Sequence, residues 1–250
     1  MLRKFRGLII TLLPAILFLA FWQVSVGENA REKFLFASPS QIVSVAWDEL
    51  TKLQIYQHIG VTLAEAGLGL LFGMIAGTVV GLLLWGNGKV DCIAQPYMIV
   101  LGAIPVFSLA PVMIMWFGIG LWSKVIMAGF AVFFVALQQA NEGAKTAARD
   151  YLTYAQSIRA PHLRIIQKII VPGALDWVFA GLKLNVGFAL TGAYIAEFVS
   201  SENGLGHYIL TASSLYDMPR VFFGLALISI IALLLTSLAG AIHKKLRPTA

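Results

Sequence analysis

Residues 61–85 read VTLAEAGLGLLFGMIAGTVVGLLLW, in which Glu65 is the single charged residue. A transmembrane α-helix needs about 20 consecutive, mostly apolar residues, so this stretch predicts a helix that crosses a membrane. Four of its glycines recur every four residues and share one face of the helix: Gly69, Gly73, Gly77 and Gly81. A face without side chains lets a neighbouring backbone approach closely, which favours a packing seam; a hinge for pore opening is the alternative.

The composition of the chain extends this prediction to the whole molecule. Of 250 residues, 59% are hydrophobic and 12% are charged, against about 25% charged residues in soluble domains. This composition all but excludes a water-soluble fold and predicts one polytopic, all-α membrane domain of about six spans. Pro105 and Pro111 predict a distortion of the third span. The apolar runs that predict the spans are residues 8–26, 61–85, 93–117, 124–137, 175–199 and 221–242.

The first apolar run and the segment after it form a separate N-terminal part, residues 1–57, ahead of the main transmembrane domain, residues 58–250. Basic residues precede the run, so a cleavable signal peptide is the alternative to a first transmembrane helix. The length of the run and the spans that follow it favour the helix. The segment over residues 27–57 is rich in charge and contains Ala37-Ser38-Pro39-Ser40, a helix-start signal. It predicts a loop with one short amphipathic helix.

The distribution of lysine and arginine predicts the orientation, because basic residues are retained on the cytoplasmic side of a membrane. With the N-terminus inside, 12 of the 18 basic residues fall in cytoplasmic segments, 5 fall outside and Lys183 lies within a span. Both termini are therefore expected in the cytoplasm. The formal net charge of +6 then reflects topology, and no nucleic-acid partner is expected.

Residues 138–173 form the one long polar insertion between predicted spans. Four residues of its first half recur at helical spacing: Ala147, Tyr151, Ala155 and Ile158. Pro161 then forces a break, and a second short helix is expected to end at Pro172, just before the chain re-enters the membrane. The pattern predicts a helix–corner–helix knob on the cytoplasmic side, which would be a docking surface for a partner.

Polar residues within the spans are candidates for a path through the membrane. Ionisable groups inside a bilayer are costly and suggest function by default. Glu65 and Glu197 lie near the outer ends of two spans, where they either line an outer vestibule or serve as hydrogen-bonded structural groups, whereas Lys183 is expected to snorkel to the inner headgroups. Further candidates for contact with a solute, or alternatively for helix–helix hydrogen bonds, are Ser108, Thr191 and Tyr194.

Patterns typical of catalysis or metal binding are missing from the sequence. The four histidines lie at span ends or in loops without metal-ligand spacing, and the single Cys92 has no partner for a disulfide. The string nearest to a phosphate-binding loop, Gly86-Asn-Gly-Lys89, lacks the required spacing and hydroxyl group. We therefore expect no enzymatic activity, no metal ion and no cofactor in this chain.

Several short motifs are spread over residues 36–242. They are His58-Ile-Gly-Val-Thr-Leu63 with the glycines that follow it, Ile104-Pro105 with Leu109-Ala-Pro111, Trp116-Phe-Gly-Ile-Gly120, Ala180-Gly-Leu-Lys-Leu184, and Ala196-Glu-Phe198 with Gly204-Leu-Gly206. Together these motifs resemble the membrane subunits of binding-protein-dependent ABC importers, in particular the permeases of the nitrate/sulfonate/taurine class.

The resemblance implies a MetI-like ABC permease fold whose cytoplasmic coupling loop is residues 138–173. It implies the function of a non-catalytic permease subunit of an ATP-driven importer for a small sulfonate-, taurine- or nitrate-like solute or a related small organic molecule. The implied partners are a cytoplasmic ABC ATPase, an extracytoplasmic substrate-binding protein and a second permease copy, most simply in a homodimer, within a bacterial or archaeal inner membrane. An ion-coupled secondary transporter is the alternative, suggested by Glu65, Glu197 and Lys183, although the internal repeat of spans typical of such carriers is not found.

The insertion departs from the coupling-loop pattern of the family at two points. Thr153-Tyr154-Ala155 stands where Glu-Ala-Ala is expected, and Arg159 stands where a glycine is expected. Because glycine permits a positive φ at a helix end, Arg159 predicts a different corner, one set by Pro161. We expect a charge placed at Tyr154 or Ala155 to release the ATPase. The residues to which the resemblance assigns ATPase coupling are Thr153, Tyr154, Ala155, Ile158, Arg159, Ala160 and Pro161.

Overall fold

α-Helices make up almost all of the structure, a computed structural model that describes residues 2–26 and 36–246. No β-strand occurs in those two ranges, so the expected all-α class is confirmed. Part of the predicted loop, residues 27–35, lies outside the described residues. The helices, with a π-helical segment Ile166–Ile170 between α7 and α8, are α1 (Leu2–Ser25), α2 (Pro39–Leu50), α3 (Leu53–Trp85), α4 (Gly88–Gly102), α5 (Val106–Phe117), α6 (Leu121–Ser157), α7 (His162–Ile165), α8 (Val171–Ala180), α9 (Leu182–Val199), α10 (Leu205–Ser214) and α11 (Met218–Leu246).

Helix α2 is the short helix expected after the first apolar run. Ser38 begins it with a capping box, in which the Gln41 amide donates to the Ser38 hydroxyl and the Ser38 amide donates to the Gln41 side chain at 2.9 Å. Pro39 follows at the first helical position, where its missing N–H would have been unpaired in any case. Gln23 at the end of α1 bonds both the amide and the hydroxyl of Ser40, so α1 and α2 are joined.

Among the described residues, four helices are long and apolar enough to cross a membrane: α3, Leu121–Ala155 of α6, α9 and Met218–Lys245 of α11. The third predicted span is a broken one, because α4 and α5 meet at an angle of 91°. Pro105 lies in the break and disfavours helical geometry at the residue before it. Counting the bent pair as one span gives five, and the apolar stretch of α1, Ile16–Ser25, is shorter than a span.

Helix α6 corrects two expectations. The predicted fourth span, residues 124–137, was the shortest, and the polar insertion was expected to begin at Gln138. The helix instead continues without interruption from Leu121 to Ser157. Hydropathy falls at Gln138, but no proline interrupts the helix before Pro161, so the polar stretch prolongs the apolar one as a single element.

The glycine face of α3 packs against α6, as the seam prediction stated. A Cβ atom built on Gly73 would lie 2.5 Å from the carbonyl oxygen of Gly129 in α6. The other three glycines of the series also face the backbone of α6 or its alanines. The two helices therefore approach at a distance that no side chain on this face of α3 would permit.

The bundle has two ends, which carry different features. The corner end carries residues 158–161, and α3 reaches it through Leu82 and Trp85. The loop end carries residues 200–204, and α3 begins there, with His58 hydrogen-bonded to Gly204 of that loop and Thr62 to Leu205, the first residue of α10. Between the two ends a core built mainly of alanine, with larger aliphatic side chains and Phe223, joins α3, α6, α9 and α11.

Candidate functional site

Residues 158–161 form a tight corner at the end of α6. The amide of Ala160 donates to the carbonyl oxygen of Ala155 at 3.0 Å, and Arg159 has a φ of 52°. This is the Schellman pattern, in which the residue after the helix end takes the left-handed conformation usually given to glycine. The expectation of a different corner was wrong, because Arg159 adopts the geometry that glycine would adopt. Pro161 follows as the N-cap residue of α7.

Apolar side chains are exposed around this corner. Tyr154 is 68% exposed and Ile158 is 62% exposed, and both lie with Tyr151 on one face of the last turns of α6, while Leu163 of α7 is exposed beside them. We call these four side chains the corner patch. The remaining predicted coupling residues differ in exposure: Thr153, Arg159 and Pro161 are exposed, Ala160 is half-buried and Ala155 is buried.

Ala155 corrects the predicted docking face. It is only 2% exposed and lies in a buried cluster, because the tight corner folds α7 back over the inner side of α6. A charge at this position would therefore disrupt the fold before it reached any partner. We call this buried group the corner cluster; its members are Ala140, Ala144, Ala147, Ala155, Ile165, Ile170, Ala174 and Val178.

Pro172 does not end the second helix of the knob, contrary to expectation. The chain continues from α7 through the π-helical segment into α8, and Pro172 lies in the first turn of α8. The amide of Val171 donates to the carbonyl oxygen of Ile166, five residues earlier. Pro172 has no backbone N–H to donate. The wider π turn before it shifts the backbone hydrogen bonds from i−4 to i−5 partners, so the helix passes through Pro172 without a break.

At the loop end, a network of buried hydrogen bonds surrounds Glu197. Its carboxylate accepts bonds from the Thr62 hydroxyl at 2.6 Å and from the Gly206 amide at 2.7 Å. The Thr62 hydroxyl accepts from the Leu205 amide at 2.9 Å, and His58 Nδ1 accepts from the Gly204 amide at 3.0 Å. These bonds fix the loop before α10 onto α3, which is the structural role that the sequence left open for Glu197.

The glycines of this loop are needed for the same network. Gly204 has a φ of 109°, and a Cβ atom there would overlap the carboxyl group of Glu197. A Cβ atom on Gly206 would lie 2.5 Å from the carbonyl oxygen of Tyr194. The Gly-Leu-Gly motif therefore permits close approach of the loop to α9.

Glu65 lies beside this network and is also buried. It is 2% exposed, its carboxyl group interacts with that of Glu197, and its Oε2 atom has no hydrogen-bond partner. Sequence reasoning did not identify His58 and Thr62 as partners, although their spacing with Glu65 along α3 places all three on one helix face. The structure thus joins Glu65 and Glu197 in the protein interior of the single chain.

Of the other path candidates, Tyr194 lies within reach of the charge of Glu197, three residues further along α9. Ser108 of α5 and Thr191 of α9 are exposed, and Tyr194 is half-buried. The two helices pack together through Ala110, Met113 and Ala196, so Ser108 and Thr191 belong to neighbouring elements. Lys183, expected to snorkel, is exposed and its methylene groups lie against Gly240 of α11.

Within the described residues, no group of three or more histidine, cysteine, aspartate or glutamate side chains is placed to hold a metal ion. The features that do stand out are apolar spans, a broken span and an exposed corner on a long helix. Together they define a membrane-embedded subunit with a surface for a partner at one end.

Comparison with known proteins assigns the family. Residues 69–248 match the family described as binding-protein-dependent transport system inner membrane component, and the chain belongs to this family. It is 30% identical to a probable ABC transporter permease protein of Haemophilus influenzae, over 90% of this chain and 92% of that protein. It is 32% identical to the riboflavin transport system permease protein RibX of Chloroflexus aurantiacus, over 96% and 88% of the two chains.

Further relatives match the class expected from the sequence. The taurine transport system permease protein TauC of Escherichia coli is 27% identical over 94% of this chain and 86% of its own length. The solved inward-facing MetNI methionine ABC transporter superposes with a TM-score of 0.70 at 17% identity, over 80% of this chain and 99% of that one. The resemblance to ABC permeases and the MetI-like fold are therefore confirmed, and the chain is a permease subunit of an ABC importer.

Proposed function

We propose that this permease forms half of the translocation path for a small solute and that its corner patch docks on a separate cytoplasmic ATPase. The observation that carries the proposal is the corner patch itself, exposed at the end of α6. Because α6 is unbroken from Leu121 to Ser157, a force applied at the corner acts on the middle of the bundle through one element. The sequence holds no phosphate-binding loop, so ATP would bind to the partner.

The chemistry of the corner supports docking. Tyr154 and Ile158 are large, exposed and adjacent on one helix face, and clustered aromatic and aliphatic side chains are typical anchors of protein interfaces. Arg159 and Arg164 are exposed beside them and would suit an acidic rim on the partner. The corner cluster beneath, which includes Ala155, holds the patch in place.

The placement of basic residues supports a cytoplasmic corner end. Among the described residues, the loop end has three basic residues: Lys52 and Arg220, which both pair with Glu49, and Lys124, which is buried near Glu65 and Glu197. The corner end has an excess of basic residues, as expected for the cytoplasmic side. They are Lys89, Lys145, Arg149, Arg159, Arg164, Lys168, Lys244 and Lys245.

A second copy of the chain would complete the path. Ser108 and Thr191 are exposed on α5 and α9, and two copies facing each other through these helices would enclose a polar lining. Two carboxylates at the entrance of the path would repel an anionic solute. Because Glu65 and Glu197 are buried, they do not oppose such a solute there. We propose a sulfonate-, taurine- or nitrate-like solute, or a related small organic molecule, delivered by an extracytoplasmic binding protein.

The same burial weakens the ion-coupled alternative, since Glu65 and Glu197, two of its three candidate groups, do not line a path in the single chain. Proteoliposomes with the permease, its ATPase and its binding protein test the proposal, with the solute that co-purifies with the binding protein as probe. We expect uptake to require both ATP and the ATPase and to persist when ion gradients are collapsed. Uptake without the ATPase would refute it.

A further inference from the structure

Helix α4 is attached to the bundle by few buried groups. Of its residues, only Asp91 and Met98 are buried, and side chains such as Tyr97 and Val100 are 65% exposed. An apolar helix with so little buried surface is held weakly by packing. The single buried polar residue therefore carries much of the attachment.

Asp91 is held to α6 by bonds of defined geometry. Asn141 Nδ2 donates to Asp91 Oδ1 at 2.8 Å, and Lys145 Nζ pairs with Asp91 Oδ2 at 2.9 Å. Asn141 Nδ2 also lies 3.3 Å from the carbonyl oxygen of Gly81 in α3. Asn141 is 1% exposed and Asp91 is 7% exposed, so water competes little for these bonds.

The partners of Asp91 are on the helix that carries the corner patch. Asn141 precedes Ser157, the last residue of α6, by 16 residues, which is about 24 Å of uninterrupted helix at 1.5 Å per residue. At its other end α4 meets α5 at the 91° bend, and α5 carries Ser108. Asp91 thus lies between the corner and a helix of the proposed path.

We propose that Asp91, held by Asn141 and Lys145, is the positioning residue that makes α4 follow α6 when the ATPase moves the corner. The proposal rests on the function proposed above. Packed apolar surfaces can slide past one another, whereas a bidentate carboxylate ties two specific points together. Breaking the tie would leave α6 driven by the ATPase while α4 and α5 lag behind.

Spin labels can separate this role from that of a merely structural anchor. Cys92, the sole cysteine of the sequence and exposed, lies next to Asp91 and reports on α4. In a Cys92→Ser background, Arg149→Cys places a label on the exposed side of α6. In the permease–ATPase complex, the distance between the two copies of each label is measured by pulsed electron spin resonance with and without ATP.

In the wild type we expect ATP to shift both distances. In Asp91→Ala the shift at position 149 should remain and the shift at Cys92 should be lost, with ATPase co-purification unchanged. Lys145→Gln, which spares the bond between Asn141 and Asp91, should lose most of the shift at Cys92. Lys145→Arg should keep that shift. Glu142→Gln is the matched control, because it removes the other, half-exposed partner of Lys145 and should leave both shifts intact.

A full shift at Cys92 in Asp91→Ala would overturn the inference, and so would loss of both shifts together, which indicates general disruption. Should Asp91→Ala not fold, Lys145→Gln decides by the same criterion. If neither distance moves in the wild type with ATPase and ATP present, the proposed function itself fails, and this outcome is distinct from the other two.

Discussion

At the scale of the residue, Arg159 bears an unfavourable backbone conformation. Its φ of 52° lies in the left-handed region, which costs a residue with a side chain about 1–2 kcal/mol, whereas glycine enters it freely. We expect Arg159→Gly to raise the free energy of unfolding by about 0.5–1 kcal/mol after the greater flexibility of unfolded glycine is allowed for. Thermal unfolding in detergent measures this. Ser157→Gly, two residues earlier within α6, should lower stability instead, and a destabilised Arg159→Gly would contradict the assignment of the corner.

Glu49 predicts a pH dependence at the loop end. Burial acts to raise its pKa, but hydrogen bonds from Lys52 and Arg220 outweigh burial, and the pKa of Glu49 is lowered from its ordinary value of 4.5. A carboxyl group with a lowered pKa in the folded state stabilises the fold above its unfolded pKa, and this contribution is lost as pH falls through the folded pKa.

We therefore expect Glu49→Gln to lower the free energy of unfolding at pH 7, by no more than about 1 kcal/mol because both partners are about half exposed. The difference from wild type should shrink as the pH is lowered below 4.5. Denaturation in detergent at several pH values tests this. Asp150→Asn, in an exposed pair with Arg149, should have little effect, and a difference for Glu49→Gln that grows in acid would contradict the sign.

At this scale the sequence predicted residue types better than roles. Tyr154 and Ile158, which are expected on a docking face, are exposed, whereas Ala155, expected on the same face, is buried. Helical periodicity shows which residues share a face, but it does not show which element packs over that face. Glu197 was recognised as costly within a span, yet its partner Thr62 is 135 residues away. Contacts over such separations depend on tertiary packing, which no local pattern shows.

At the scale of the element, the seam between α3 and α6 makes a sharp comparison possible. A Cβ atom on Gly73 would overlap the backbone of Gly129, whereas nothing lies within 4 Å of a Cβ atom on Gly67. We expect Gly73→Ala to destabilise the protein by about 1–3 kcal/mol, since the helices must separate, and Gly67→Ala to be tolerated. Thermal stability of the two variants in detergent decides, and equal effects would refute close packing at the seam.

The same scale shows where prediction from sequence fails. Apolar runs located α11 and the end of α3, because the bilayer sets the length of a span. They missed the start of α3 at Leu53, and the single span predicted over residues 175–199 is divided between α8 and α9 at Gly181. The end of α6 was misplaced because hydropathy marks where lipid ends and not where a helix ends. The sequence pattern predicts that the helix stops at Pro172, but the π-helical segment before it lets the chain continue as helix.

At the scale of the whole molecule, the long helix α6 joins features that the sequence presented separately. It packs on the glycine face of α3, contributes to the core and ends in the exposed corner. Family membership makes the chain a permease subunit of an ABC importer. What the fold adds is a direct element between the proposed ATPase contact and the helices around the proposed path.

Two exposed residues at matching helix ends provide the most direct test of this account. Ile158 directly follows the last residue of α6, and Leu215 directly follows the last residue of α10. Each is followed by a residue with positive φ, and they are 62% and 73% exposed at opposite ends of the bundle. The measurement is the affinity of the purified ATPase for permease carrying Ile158→Asp or Leu215→Asp. We predict binding at least about tenfold weaker, or about 1.4 kcal/mol, for Ile158→Asp and unchanged binding for Leu215→Asp. Undiminished binding to Ile158→Asp, or an equal loss in both variants, would contradict docking at the corner.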